Sequence, residues 1–254
     1  MDFLNQDRID AGVSFDWSSL PAHQTSLADV PTDTTELRFR RDGSSHRGIR
    51  RFSRLRRAWL YSVNQAFLEE LADIPTIEHL FIDGTTVTDL TPLHRLPQLR
   101  HLVINGGTKI LSLDWLTGVP QLEALAIENF KRVFHLDPIV SLTSLRALGI
   151  EGSMWTRMRV ATLAPLSGLD SLRFLFLTNL TASDHSLHHL HSLTALEVLQ
   201  IGALFPDEEL QRLRHALPRL RCSWFEMIDR HGSTREGIRA AVREHVDLRD
   251  DHEA

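Results

Sequence analysis

A short phrase, apolar-x-x-apolar-x-apolar, recurs down the chain, and a fixed period of this kind constrains the fold before any other feature does. Its copies are Ile77, Leu80, Ile82; Leu99, Leu102, Ile104; Leu122, Leu125, Ile127; Leu145, Leu148, Ile150; Leu172, Leu175, Leu177; and Leu196, Leu199, Ile201. Successive first positions lie 22, 23, 23, 27 and 24 residues apart. Degenerate copies extend the series, with Leu55, Ala58 and Leu60 before it and Leu220, Ser223 and Phe225 after it. The spacing predicts about eight turns of a solenoid, with a flanking strand over Glu36 to Phe39. One such unit cannot bury its leucines alone, whereas stacked units share a continuous apolar core.

A second phrase alternates with the first: Leu90, Pro92, Leu93, Leu96, Leu99; Leu136, Pro138, Ile139, Leu142, Leu145; and Leu163, Pro165, Leu166, Leu169, Leu172. Three-residue spacing suits a 3₁₀ or single α turn, and proline fits the first helical position, where no N–H is needed. Asp137 before Pro138 reads as an N-cap. Each repeat is thus a strand, a reversal and a short return. A 22-residue period keeps the early returns short, while the 27-residue repeat can carry more.

These phrases resemble the leucine-rich-repeat family, in its short class of 22 to 24-residue repeats, over residues 55 to 225. The resemblance implies an α/β fold: a horseshoe solenoid with a parallel concave β-sheet, short 3₁₀ or α convex segments, about eight repeats and terminal caps. It also implies a non-enzymatic protein-interaction module. Gly84, Gly106, Asn129, Gly152 and Asn179 stand near where the family places asparagine, without forming a regular ladder.

Residues 1–54 read as an N-terminal cap with an arginine-rich segment, 55–225 as the solenoid, and 226–254 as a capping helix with an acidic tail. Phe3, Leu4, Phe15, Trp17 and Leu20 supply apolar groups to cover the first turn, since an open solenoid end exposes core. Ser233 with Glu236 forms a capping box ahead of Ile238, Ala241, Val242 and Val246.

In this architecture the residues between and after the apolar positions of each strand line the concave face. One column reads Arg57, His79, His101, Ala124, Ala147, Phe174, Val198, Cys222. The next reads Trp59, Phe81, Val103, Ala126, Gly149, Phe176, Gln200, Trp224, and the third Tyr61, Asp83, Asn105, Glu128, Glu151, Thr178, Gly202, Glu226. Aromatics gather at both ends, small residues make a shallow floor, and acids line one margin. Eight strands span about 34 Å, enough for a small domain or a helix. Exposed aromatics beside charge are typical of interface hot spots. The expected partner-binding residues are therefore Arg57, Trp59, Tyr61, His79, Phe81, Asp83, His101, Asn105, Glu128, Glu151, Phe174, Phe176 and Trp224. The competing reading is that the N-terminal segment covers some of these rings.

Charge is unevenly spread. Arg38, Arg40, Arg41, Arg47, Arg50, Arg51, Arg54, Arg56 and Arg57 stand against the single acid Asp42, in a chain of formal net charge −5. Such a segment suits an acidic protein, nucleic acid, or the protein's own acidic body. A protein partner is expected first and nucleic acid second, because the remaining acidic surface repels a long polyanion. No H-E-x-x-H, P-loop, G-x-S-x-G or paired-cysteine spacing occurs, so neither catalysis, a cofactor nor a small-molecule substrate is expected. Asp184, His185, His188, His189 and His191 sit among Leu187, Leu190 and Leu193 at solenoid spacing, and read as a return turn rather than a metal site. Cys222, the one cysteine, reads as a surface or cap residue. With no secretory signal and no apolar run of membrane-spanning length, a cytoplasmic, bacterial protein with no membrane partner is expected.

Overall fold

Copy by copy, the strand phrase becomes a run of short parallel strands in the computed structural model, which describes residues 3–238 apart from residue 203. Helix α1 (Phe3–Asp10) comes first, then β1 (His23–Gln24) and β2 (Glu36–Arg40). The repeats supply β3 (Arg57–Tyr61), helix α2 (Gln65–Leu71), β4 (His79–Asp83), β5 (His101–Asn105), β6 (Ala124–Glu128) and β7 (Ala147–Glu151). Then come β8 (Met158–Val160), β9 (Phe174–Leu177), β10 (Leu180–Ala182) and β11 (Val198–Ile201), before α3 (Asp207–Ala216) and α4 (Ser223–His231). Nine strands pair in the order β1-β2-β3-β4-β5-β6-β7-β9-β11, parallel throughout. The extra length of the 27-residue repeat carries β8, which pairs with β10 beside the main sheet.

Register explains the packing. Leu80, Leu102, Leu125, Leu148, Leu175 and Leu199 follow one another across the strands, as do Ile82, Ile104, Ile127 and Ile150. All are buried in one apolar cluster running from Leu27 to Ile228. Each such side chain contributes about 1.5–3 kcal/mol on burial. The returns are five-residue 3₁₀ turns at Thr91–Arg95, Asp114–Gly118, Asp137–Ser141 and Ala164–Gly168, with the leucine after proline, or its counterpart, buried. Asp137 is the first residue of its turn rather than the cap. Leu136 holds the cap position and makes no side-chain cap bond. After the strands the backbone enters the left-handed region at Gly84, Gly106, Asn129 and Asn179 (φ +65°, +82°, +60° and +50°). Glycine and asparagine recur there because those types tolerate that turn.

The two ends depart from the repeat reading. Strand β2 pairs with β3 over the whole of Glu36–Arg40, so the flanking strand exists. The last degenerate copy does not form a strand: Arg221 makes an isolated bridge to Val198, and α4 begins at Ser223. Phe225 and Ile228, three residues apart, bury one face of that helix, so helical periodicity overrides the weak strand phrase. Trp224 therefore leaves the concave column, and its indole N–H donates to the carbonyl of Ile201. Glu226 leaves it for the same reason. Ser233 Oγ accepts from the amide of Glu236 at 3.1 Å, as a capping box requires. Ala241, Val242 and Val246 lie outside the described residues. Among the described residues no helix is long and apolar enough to cross a membrane.

Candidate binding surface on the concave face

Strand register brings the expected columns into line: His79 beside His101, Trp59 beside Phe81 and Val103, and Tyr61, Asp83, Asn105, Glu128 and Glu151 in one row. Their exposure differs from the expectation. Tyr61, Phe81 and Phe176 are buried, as are the small residues Ala124, Ala126 and Ala147, in an apolar cluster separate from the solenoid core. Ala11 and Val13 complete that cluster, with Phe15 packed against it. Part of the N-terminal segment therefore runs across the concave face rather than over the first turn.

Local sequence explains how it lies there. Gly12 takes a left-handed φ of +73° and ends α1. The chain leaves the helix through a turn in which the amides of Val13 and Ser14 donate to the Arg8 carbonyl, and Ala11, Val13 and Phe15 bring apolar groups to the sheet. A Cβ on Gly12 would stand 2.2 Å from His101 Nδ1, so glycine is needed for space as well as for dihedral. The ring of Phe15 meets Phe81 edge-on at 4.8 Å and Trp59 at 6.0 Å. Arg8 lies farther along: its guanidinium donates to both carboxylate oxygens of Glu151, one at 2.7 Å, and to Gln200 Oε1 at 3.3 Å. It also stacks 4.7 Å over Phe176. Thr178 donates its hydroxyl to Glu151, and Asp7 pairs with Arg221 at 2.9 Å.

The acidic margin keeps an imbalance of charge. Burial, with Glu151 and Asp83 beside it, raises the Glu128 carboxyl above the usual carboxylate range, and Arg8 acts in the opposite sense. On the other margin His79 stacks on His101 at 4.2 Å between ring centres. Burial first, then His101 and Arg57, push the His79 imidazole down to about 4. A cleft of about 510 Å³ stays open between the crossing segment and β3–β5, lined by Phe15, Glu36, Arg57, Trp59, His79 and His101 among others. Trp59 and Phe174 are half-buried, and Asp83, Asn105 and His101 likewise keep some exposure.

The arginine segment is engaged largely within the molecule. Arg56 pairs with Glu78 at 2.6 Å, Arg57 with Glu36 at 3.2 Å, and Arg50 lies 4.0 Å from Glu70 and 3.9 Å from Asp73. Arg41 donates to the carbonyls of Ser62 and Gly43, and Arg51 to that of Leu27. Arg38 and Arg40 stand 5.8 and 5.1 Å from the Tyr61 ring. Arg47 and Arg54 are exposed. The histidine run forms a 3₁₀ turn at His188–Leu190 with Leu187, Leu190 and Leu193 buried. Cys222 is buried at the helical end, not on the surface, and desolvation raises its thiol to about 11.

Sequence reasoning missed Arg8, Ala11, Val13 and Phe15 as occupants of the sheet. The signal available was the cluster of apolar residues, Ala11, Val13 and Phe15, just after the helix. The pairing of Arg8 with a residue 143 positions away had no local signal.

No protein-family profile matches the chain, and no curated protein does. Solved structures similar to it include an internalin C2 from Listeria monocytogenes, 19% identical over 63% of this chain and 66% of that one, with a TM-score of 0.49. The functional domain of InlJ from the same organism is 16% identical over 67% and 44% of the two chains, TM-score 0.44. A plant peptide hormone receptor, RGFR1 in complex with RGF2, is 12% identical over 80% and 37%, TM-score 0.48. The match spans less than two thirds of the length of each of these chains.

Proposed function

We propose that this leucine-rich-repeat solenoid is a non-enzymatic protein-recognition module whose concave face binds a partner polypeptide. The observation that carries the proposal is occupancy: the face already holds a stretch of polypeptide, residues 11–15, through apolar contacts and a neighbouring arginine–carboxylate fork. A surface that sequesters rings, small residues and a desolvated acidic row is suited to a chain segment. Half-buried Trp59 and Phe174, with His79, Asp83, His101 and Asn105, offer the part a partner reaches first. A regulatory subunit, an adaptor or scaffold, and a toxin-neutralising partner are the roles this reading admits, in the cytoplasm of a bacterium.

Affinity capture from a lysate of the source organism, at moderate and high salt, tests this. The wild type is expected to retain a protein at both salts, because an aromatic-centred interface weakens only mildly with salt whereas phosphate contacts weaken steeply. A folded Trp59→Ala, Phe174→Ala variant is expected to lose it. Retention by that variant, or recovery of nucleic acid alone that salt removes, overturns the assignment.

A further inference from the structure

We infer that residues 6–16 are an internal stand-in for the partner, so that the concave face is selective for a segment that presents an arginine, followed by small, aliphatic and aromatic side chains at alternate positions. This deepens, and rests on, the protein-recognition reading above. What the occupant presents defines what the site accepts. Arg8 goes to the acidic margin and the Phe176 ring; Ala11 and Val13 join the small residues Ala124, Ala126 and Ala147 in one apolar cluster; Phe15 packs edge-on against Trp59 and Phe81. The order along the segment, a cation, then small, aliphatic and aromatic groups at alternate positions, matches the order of these subsites across the strands from β9 back to β3.

Charge selects the class of partner. Asp83, Glu128 and Glu151 stand side by side along one margin, and Arg8 is the cation whose guanidinium bonds to it, at Glu151. A carboxylate or phosphate placed against this margin brings more of the same sign into a poorly solvated site, whereas an arginine or lysine at that point relieves it. The fork geometry on Glu151, with stacking on Phe176, favours arginine over lysine. The occupant is held through side chains and a contact of 3.4 Å between the Gly12 carbonyl and His101 Nδ1. Exchange for a segment of the same chemistry therefore breaks few strand-type hydrogen bonds.

The test uses the full chain carrying Arg8→Glu with Phe15→Ser, which detaches the segment, and a fluorescent synthetic peptide of residues 2–17 as the probe. Circular dichroism and a cooperative thermal transition establish that the variant is folded. If it is not, Gly12→Ala is the second route, since the added methyl meets His101 and the left-handed φ is lost. Fluorescence anisotropy is expected to give binding at least about tenfold tighter to the released variant than to wild type, whose face is filled. Adding Glu151→Gln to the released protein, or Arg8→Glu to the peptide, is expected to weaken it by about tenfold. No binding to a folded released variant, or equal binding to wild type, overturns the inference. If that happens while the Trp59→Ala, Phe174→Ala variant still loses its captured partner, the protein-recognition reading stands and only the stand-in falls.

Discussion

Arg8 ties the N-terminal segment to the concave face through Glu151, Gln200 and the Phe176 ring. Its removal leaves Glu151, 7% exposed, beside Glu128 without its guanidinium. Hydrogen bonds to charged groups contribute about 1.5–3 kcal/mol, so Arg8→Ala is expected to lower the unfolding free energy by about that amount in urea titration. Arg8→Lys is expected to recover only part of the loss, because an ammonium cannot make the two-pronged contact. His79 supplies a pH dependence of known sign. The folded chain keeps its imidazole neutral down to about 4, while the unfolded chain takes up the proton near 6.5. The unfolded state thus binds more protons in that window, and this contribution to stability is complete above pH 6.5 and declines as pH falls toward 4. Melting temperature measured across that window is expected to fall less steeply with acid in His79→Gln than in wild type. The concave columns were legible at this scale because alternation along a strand sets which way each side chain points. Burial of Tyr61, Phe81 and Phe176 stood in the sequence only as the competing reading, since which rings the distant N-terminal segment covers is set by tertiary packing and not by their own strands.

At the scale of elements, agreement follows the strength of the period. Six good copies of the strand phrase all became strands, and the proline-marked returns became 3₁₀ turns, because buried leucines at fixed spacing leave few alternatives. The repeat from β3 to β4 is an exception in detail: its return is the α-helix α2, opened by Asn64 accepting from the amide of Phe67. The weakest copy, Leu220, Ser223 and Phe225, gave way to α4. There a serine at a core position could not hold a strand in the stack, while Phe225 and Ile228 could bury a helical face. Stacking also sets how damage spreads. Leu125→Ala, in the middle of the sheet at a fully buried site, is expected to cost about 2–5 kcal/mol by denaturant titration, with the loss felt by the repeats on both sides. A cost under about 1 kcal/mol would show that the stack tolerates a void there.

Across the whole molecule the solenoid is a frame that presents one curved face, and the chain's own residues 6–16 reveal what that face holds. In the arginine segment, which stood out in the sequence as a second site, Arg50, Arg56 and Arg57 are drawn into pairs with Glu36, Glu70, Asp73 and Glu78, and Arg41 and Arg51 onto backbone carbonyls. Exposed ion pairs of this sort contribute little to stability, but they reduce the free charge offered to a polyanion. The central claim is that partners meet the concave face. Site-specific photo-crosslinking tests it most directly: a benzophenone side chain at Phe174 on that face, and another at Val140, 57% exposed in a convex turn, each in the full chain and exposed to a lysate of the source organism. A defined protein adduct from position 174 and none from position 140 is the result expected; adducts from position 140 alone, or none from 174 while the protein still captures its partner, would place recognition elsewhere on the solenoid.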